Sequence, residues 1–330
     1  MPTAPTAIGL GSEKYAVYIE NASREIAGYR IQSIDPSISI ATDIDHELGS
    51  VDPTGSSTDA PEYRVTIEQN LIDSKTELVL AGLAANATSI TLAQLFSDND
   101  IIIYEPVKNA AGSIFQEQKY SGLALADASW LMSAAGIITQ SFTLQGTTLT
   151  NLTSGMHSWP AADTSSASSI RGKEAIFYLG GSMVAADTIF RVQTFSIRAS
   201  SPITVIRELG NRSLVGQIVG QPTVTIGFDV LETESQQPET LLTTSLDYSQ
   251  PATITGAIKI FAPTQSRSAL GSEAGTNALK SFKFENLKMT GATISRATVR
   301  GQGTKRFDLM VTAATTAASA GMTVYVGNIS

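Results

Sequence analysis

The sequence predicts a mainly β protein: two tandem homologous β-sandwich or barrel domains, each with one short helix and long loops or hairpins. Two observations carry this. The stretch "YRIQSIDPSISIATDIDHELG" (29–49) aligns without a gap on "FRVQTFSIRASSPITVIRELG" (190–210), with six identities in 21 positions, where ordinary composition gives about one or two. The matched segments are short, rich in Ile, Val, Thr, Phe and Tyr, often alternating, and separated by Gly, Pro, Asn, Asp or Ser, the pattern of antiparallel strands. A length of 330 residues is enough for two cores.

In chain order, residues 1–14 are rich in Pro, Thr and Gly and read as an arm. The first domain spans 15–150 and opens on the strand "YAVYI" (15–19), which is matched by "AIFYL" (175–179) in the second. In the repeated stretch, Arg30, Glu47, Leu48 and Gly49 recur as Arg191, Glu208, Leu209 and Gly210. A turn that requires positive φ explains a glycine at the end of each Glu-Leu-Gly triplet. The recurring Arg and Glu are candidates for an ion pair within a domain or between subunits, against the plainer alternative of two solvated charges. The polar loops 49–62 and 210–222 that follow are long enough either to bind a neighbour or to be disordered.

Long strands come next, "YRVTIEQNLID" (63–73) and "TVTIGFDVLE" (223–232). One helix per copy is expected, over 89–97 and 238–249, because Ser89 and a Pro-Glu start precede apolar runs of about two turns. "IIIYEP" (101–106) pairs with "IKIFAP" (258–263), "KYSGLALADASW" (119–130) with "KFENLKMTGATI" (283–294), and "SFTL" (141–144) with "RFDL" (306–309). The Ser, Ala and Gly-rich stretch 151–172 is the expected linker. The second domain covers 173–312 and holds the long loop 262–280. Residues 313–330 form an extension ending in a strand, 322–326, with no counterpart in the first copy. Trp130 and Trp159 read as packing residues of core and linker.

Charge is divided unevenly. Residues 1–165 carry 7 Lys+Arg against 19 Asp+Glu, a balance of −12, and residues 166–330 carry 15 against 11, a balance of +4. An acidic copy facing a basic copy would steer association and fix register; independent drift of solvated faces is the alternative. The absence of cysteine excludes disulfides and thiolate chemistry. The cluster "DIDHE" (43–47) is too local to read as a metal site, and its counterpart "TVIRE" keeps only the glutamate. No nucleotide-binding or hydrolase motif stands in a supporting context, so no enzyme activity, catalytic residue, metal or cofactor is expected. The N-terminus lacks a basic start and apolar core, and no run approaches the roughly 18 apolar residues of a membrane span. A soluble protein without membrane contact is therefore expected.

A strand reading aromatic-x-Val/Ile-Gln-Ser/Thr, then a polar stretch, a Glu-Leu-Gly turn and a long apolar strand resembles the tail tube proteins of long-tailed bacteriophages. The likeness is best over 29–70 and 190–232 and fainter to the end of each copy. It implies a structural virion protein, made and assembled in the host cytoplasm, whose domains close six to a ring. The rings stack into the hollow tail tube through which DNA leaves. With two copies per chain, the resemblance implies trimeric rings of pseudo-sixfold symmetry, contacts with other tail proteins, and DNA passing without specific binding. A basic lining would hold DNA, so Glu68, Asp73, Glu77, Asp229, Glu232 and Glu234, on or after the long strands, are the lumen-facing candidates. A two-domain β-sandwich binding module, such as an adhesin or receptor-binding virion protein, is the alternative function.

Overall fold

The structure is a computed structural model. It describes residues 17–21, 24–28, 31–40, 42–45, 55–58, 61–71, 73–108, 113–158, 169–180, 189, 191–208, 214–231, 242, 253–262, 278–295, 303–311 and 321–326. Strands dominate, as expected from the alternating segments.

In the first copy, β1 (Val17–Asn21), β2 (Arg24–Gly28) and β3 (Ile31–Ser39) precede the hairpin of β4 (Thr42–Asp45) and β5 (Gly55–Thr58). Then come β6 (Glu62–Asn70), α1 (Lys75–Leu80), β7 (Ser89–Thr91), α2 (Leu92–Leu95), β8 (Ile101–Lys108), β9 (Ile114–Ser133), β10 (Thr139–Gly146) and β11 (Thr148–Leu152). The second copy holds β12 (Ala175–Leu179), β13 (Val192–Ser200), the hairpin of β14 (Ile203–Ile206) and β15 (Gly216–Val219), and β16 (Thr223–Leu231). It ends with β17 (Thr253–Ile260), β18 (Lys280–Ser295), β19 (Thr304–Val311) and β20 (Met322–Tyr325).

The strand order repeats. In the first copy it runs β3-β6-β10-β9-β8-β1, every neighbour antiparallel. In the second it runs β13-β16-β19-β18-β17-β12, again antiparallel throughout. The central strand of each copy changes partner near a residue with positive φ: β9 from β8 to β10 around Gly122 (62°), and β18 from β17 to β19 around Asn286 (55°). Glycine and asparagine are the residues that reach this region at least cost. A Cβ at Gly122 would also meet Thr147 Oγ1 at 2.8 Å. A cross-strand hydrogen bond recurs as well: Ser33 donates to Glu68 Oε2 at 3.3 Å, and Thr194 at the matching position donates to Asp229 Oδ2.

The helices differ from expectation. The capped turn in the first copy is α2, shorter than 89–97, with Thr91 rather than Ser89 as cap: Gln94 N donates to Thr91 Oγ1, and Gln94 Oε1 accepts from Thr91 N. A second helix, α1, precedes it. Its cap residue Ser74 makes no side-chain capping bond, and its turn is buried from Thr76 to Leu80, so tertiary packing rather than local signal makes it helical. In the second copy only Leu242 of 238–249 lies among the described residues; it is helical and buried.

The last strand does have a counterpart. β20 pairs with Ser281–Phe284 of β18, as β11 pairs with Glu117–Ser121 of β9. Its other edge pairs with β7 of the first copy. One apolar cluster runs through both copies, with Trp130 packed edge-on against Phe142 at 6.0 Å and against Phe282 of the second copy at 5.1 Å.

Candidate subunit interface

The two copies are joined edge to edge. β13 of the second copy pairs with the far half of β9 of the first, from Thr194 opposite Ser133 to Ser200 opposite Asp127. Ala134 N donates to Gln193 O and Ser201 N donates to Ala126 O, both at 2.9 Å, extending the ladder at its two ends. Phe195, Ile197 and Ala199 meet Met132, Trp130 and Ala128 on the core face, all buried.

Among the described residues, three ion pairs join the copies, each from a cation of the second to an anion of the first. Arg198 Nε lies 2.7 Å from Asp127 Oδ2 and Arg207 Nη2 lies 2.9 Å from Glu62 Oε1. The third is buried: Lys280 Nζ of β18 meets Glu77 Oε1 of α1, both side chains without solvent exposure. Trp130 Nε1 donates to the same carboxylate oxygen at 3.2 Å, and Lys280 also donates to Gln140 Oε1 at 3.4 Å. Burial pushes Lys280 below the usual lysine range, against the pull of Glu77 and Asp73. Such a pair is costly to break on one side, because the survivor is left charged in the core. The β14–β15 hairpin lies across the first copy, where Gln217 Nε2 donates to Gly122 O at 3.0 Å.

The repeat marks two further strand edges at the positions that match this joint. Subtracting 161 carries β13 onto β3, and adding 164 carries the far half of β9 onto Gly291–Ser295 of β18. Among the described residues, β3 has β6 on one side and no strand on the other, and Gly291–Ser295 has only β19. The exposure follows. Ala199 and Ala128, paired in the closed joint, are both 0% exposed; their counterparts Ile38 and Ala292 are exposed, Ile38 at 55%, although both occupy the core face of the sheet.

The opposite face of this sheet is rich in Ser and Thr. Its charged residues on the paired strands are Asp35, Glu62, Glu68, Asp127, Asp229 and Asp308 against Arg64, Arg198, Lys288 and Arg306. Of the lumen candidates, Glu68 and Asp229 fall on this face at matching positions. Asp73 precedes α1, next to Lys75 at 3.5 Å. Glu77, expected on an exposed inner wall, is instead fully buried and ion-paired to Lys280. Glu232 and Glu234 lie outside the described residues, as do Arg30, Glu47, Leu48, Gly49, Leu209 and Gly210. Arg191 has φ of 60° and precedes β13, whereas Glu208 follows β14; the two form no ion pair with each other. The buried pair was missed because its partners stand 203 positions apart. The open edges had a sequence signal in the repeat itself, at the joint's second set of positions.

No protein-family model matches the chain, and no curated protein matches it. Among solved structures the chain is similar to one from the sheath–tube complex of an extracellular contractile injection system, PVC, in its extended state. That match has 16% identity and a TM-score of 0.33, covering 43% of this chain and 86% of that one. It is similar to the tube-terminating cap of the anti-feeding prophage at 15% identity and a TM-score of 0.34, covering 52% of this chain and 99% of that one. A chain of the anti-feeding prophage baseplate matches at 13% identity and a TM-score of 0.33, over 47% of this chain and 100% of that one.

Proposed function

We propose that this chain is a structural subunit that closes into rings by repeating its internal joint between molecules. β3 of one molecule pairs with Gly291–Ser295 of the next, in the register that β13 and β9 already use: Asp35 opposite Ser295, Ser37 opposite Thr293, Ser39 opposite Gly291. The observation that carries this reading is the pair of exposed core-face residues, Ile38 and Ala292, at the positions where the closed joint buries Ala199 and Ala128. Covering Ile38 is worth about 2 kcal/mol, in addition to the ladder of the new strand pair.

A head-to-tail contact either closes a ring or runs on as a filament, according to the rotation at each step. Two like domains per chain make three chains the natural closure for a pseudo-sixfold ring. The acidic excess on the polar sheet face suits a channel lining past which DNA moves without binding. We therefore favour stacked rings forming a tail tube in a virion or related particle, in contact with other tail proteins. Electron microscopy of the purified chain in negative stain tests this: annular particles of three chains and hollow tubes are expected. Monomers at all concentrations, or compact oligomers without a channel, would overturn it.

A further inference from the structure

We infer that Pro36 is a brake on self-association, set at the centre of the open edge of β3. The inference rests on the ring reading and deepens it. Backbone groups of an antiparallel strand alternate between its two neighbours. In β13, Gln193 and Ser201 direct theirs toward β9, through Ala134 N to Gln193 O and Ser201 N to Ala126 O. The register between these residues has no shift on the β9 side, so Phe195, Ile197 and Ala199 also face β9.

Their counterparts in β3 are Gln32, Ile34, Pro36, Ile38 and Ile40. These residues direct their backbone groups to the open edge, and the middle one has no N–H. Pro36 opposes Val65 in the β6 ladder without loss, because a proline fits an edge strand when its missing donor is on the outer side. The second copy has Ile197 at this position, fully buried and opposite Trp130. The closed joint therefore has a donor where the open one has none.

The consequence is selective. Any extended segment can pair with a bare edge through backbone bonds alone, and a proline there blunts such pairing. The proper partner, a second copy of this chain, compensates through side chains: the core-face contact of Ile38 with Ala292 does not depend on the missing donor. The edge stays uncommitted at low concentration and closes when copies are abundant.

Sedimentation equilibrium of the full chain, Pro36→Ile and Pro36→Ile with Ile38→Asp tests this, with thermal unfolding as a check on the fold. Restoring one ladder hydrogen bond should tighten association about threefold to tenfold per joint, and Ile38→Asp should cancel the gain. Association by Pro36→Ile that is equal to or weaker than that of the unaltered chain overturns the brake while leaving the ring reading intact. Association indifferent to Ile38→Asp overturns the ring reading itself. Pro36→Val, which also restores the donor, must behave like Pro36→Ile; if it does not, the effect belongs to the isoleucine side chain and the inference fails.

Discussion

The closed joint between the copies and the proposed joint between molecules would share strand order and register but differ in chemistry. In the closed joint, Arg198, Arg207 and Lys280 of the second copy meet Asp127, Glu62 and Glu77 of the first. Among the described residues, the positions that match these in the alignment of the copies hold Ser37, Gln116, Gly291 and Thr223. The uneven charge of the two halves is thus used within the molecule. A permanent contact can hold a buried ion pair because chain connectivity supplies its partner at high effective concentration. A contact made between separate molecules must desolvate every charge it buries at the moment of association. Apolar residues on a bare strand edge, with one donor removed, are the cheaper solution.

The largest expected effect comes from breaking the closed joint. Lys280→Met alone leaves Glu77 charged and unpaired in the core, and urea denaturation should record a loss of about 3–5 kcal/mol. Adding Glu77→Leu should recover most of it; a double variant as unstable as the single one would mean that the pair is not what holds the copies together. Next in size is the open joint. Ile38→Asp should cost association about 2 kcal/mol or more in sedimentation equilibrium and leave the unfolding midpoint unchanged, because Ile38 is not covered within one molecule.

The surface pair separates the two kinds of contact further. Arg198 is largely exposed, so Arg198→Ala should cost under about 1 kcal/mol, far below Lys280→Met. The smallest effect concerns pH. Burial raises the pKa of Glu105; its hydrogen bond to Tyr120 opposes this, and Asp35 on the open edge adds to it. Folded Glu105 therefore holds its proton more tightly than the unfolded chain does. The stability this brings is present below pH 4.5 and is lost as pH rises through the raised value. Glu105→Gln should accordingly gain more stability at pH 7 than at pH 4 in thermal melts; equal gains at both pH values would contradict this.

What the sequence made legible was the repeat, because six identities without a gap survive in strands and turns whose geometry tolerates few residues. The shared strand order follows from those collinear matches. α1 was not legible: six residues without a side-chain cap carry too little local signal, and their burial against β1 and β2 makes the helix. The counterpart of β20 was hidden because β11 follows β10 after one residue, whereas ten residues separate β20 from β19. Glu77 read as a lumen carboxylate because a charge on the chain carries no mark of a lysine folded against it from the other copy. Pro36 was visible in the alignment opposite Ile197, but its meaning required knowing which way its nitrogen points.

In the proposed ring one joint serves twice, once inside the molecule and once between molecules. Ser37 and Thr293 correspond to Arg198 and Ser129, which face each other in the closed joint without sharing ladder bonds, a spacing of about 4.5 Å between Cα atoms that suits a disulfide. The chain has no cysteine of its own, so Ser37→Cys with Thr293→Cys, gently oxidised and run without reductant, reads this contact alone. A covalent species of three chains is expected, which neither single variant gives; a product that stays at one chain, or an unbounded ladder, would rule the ring out.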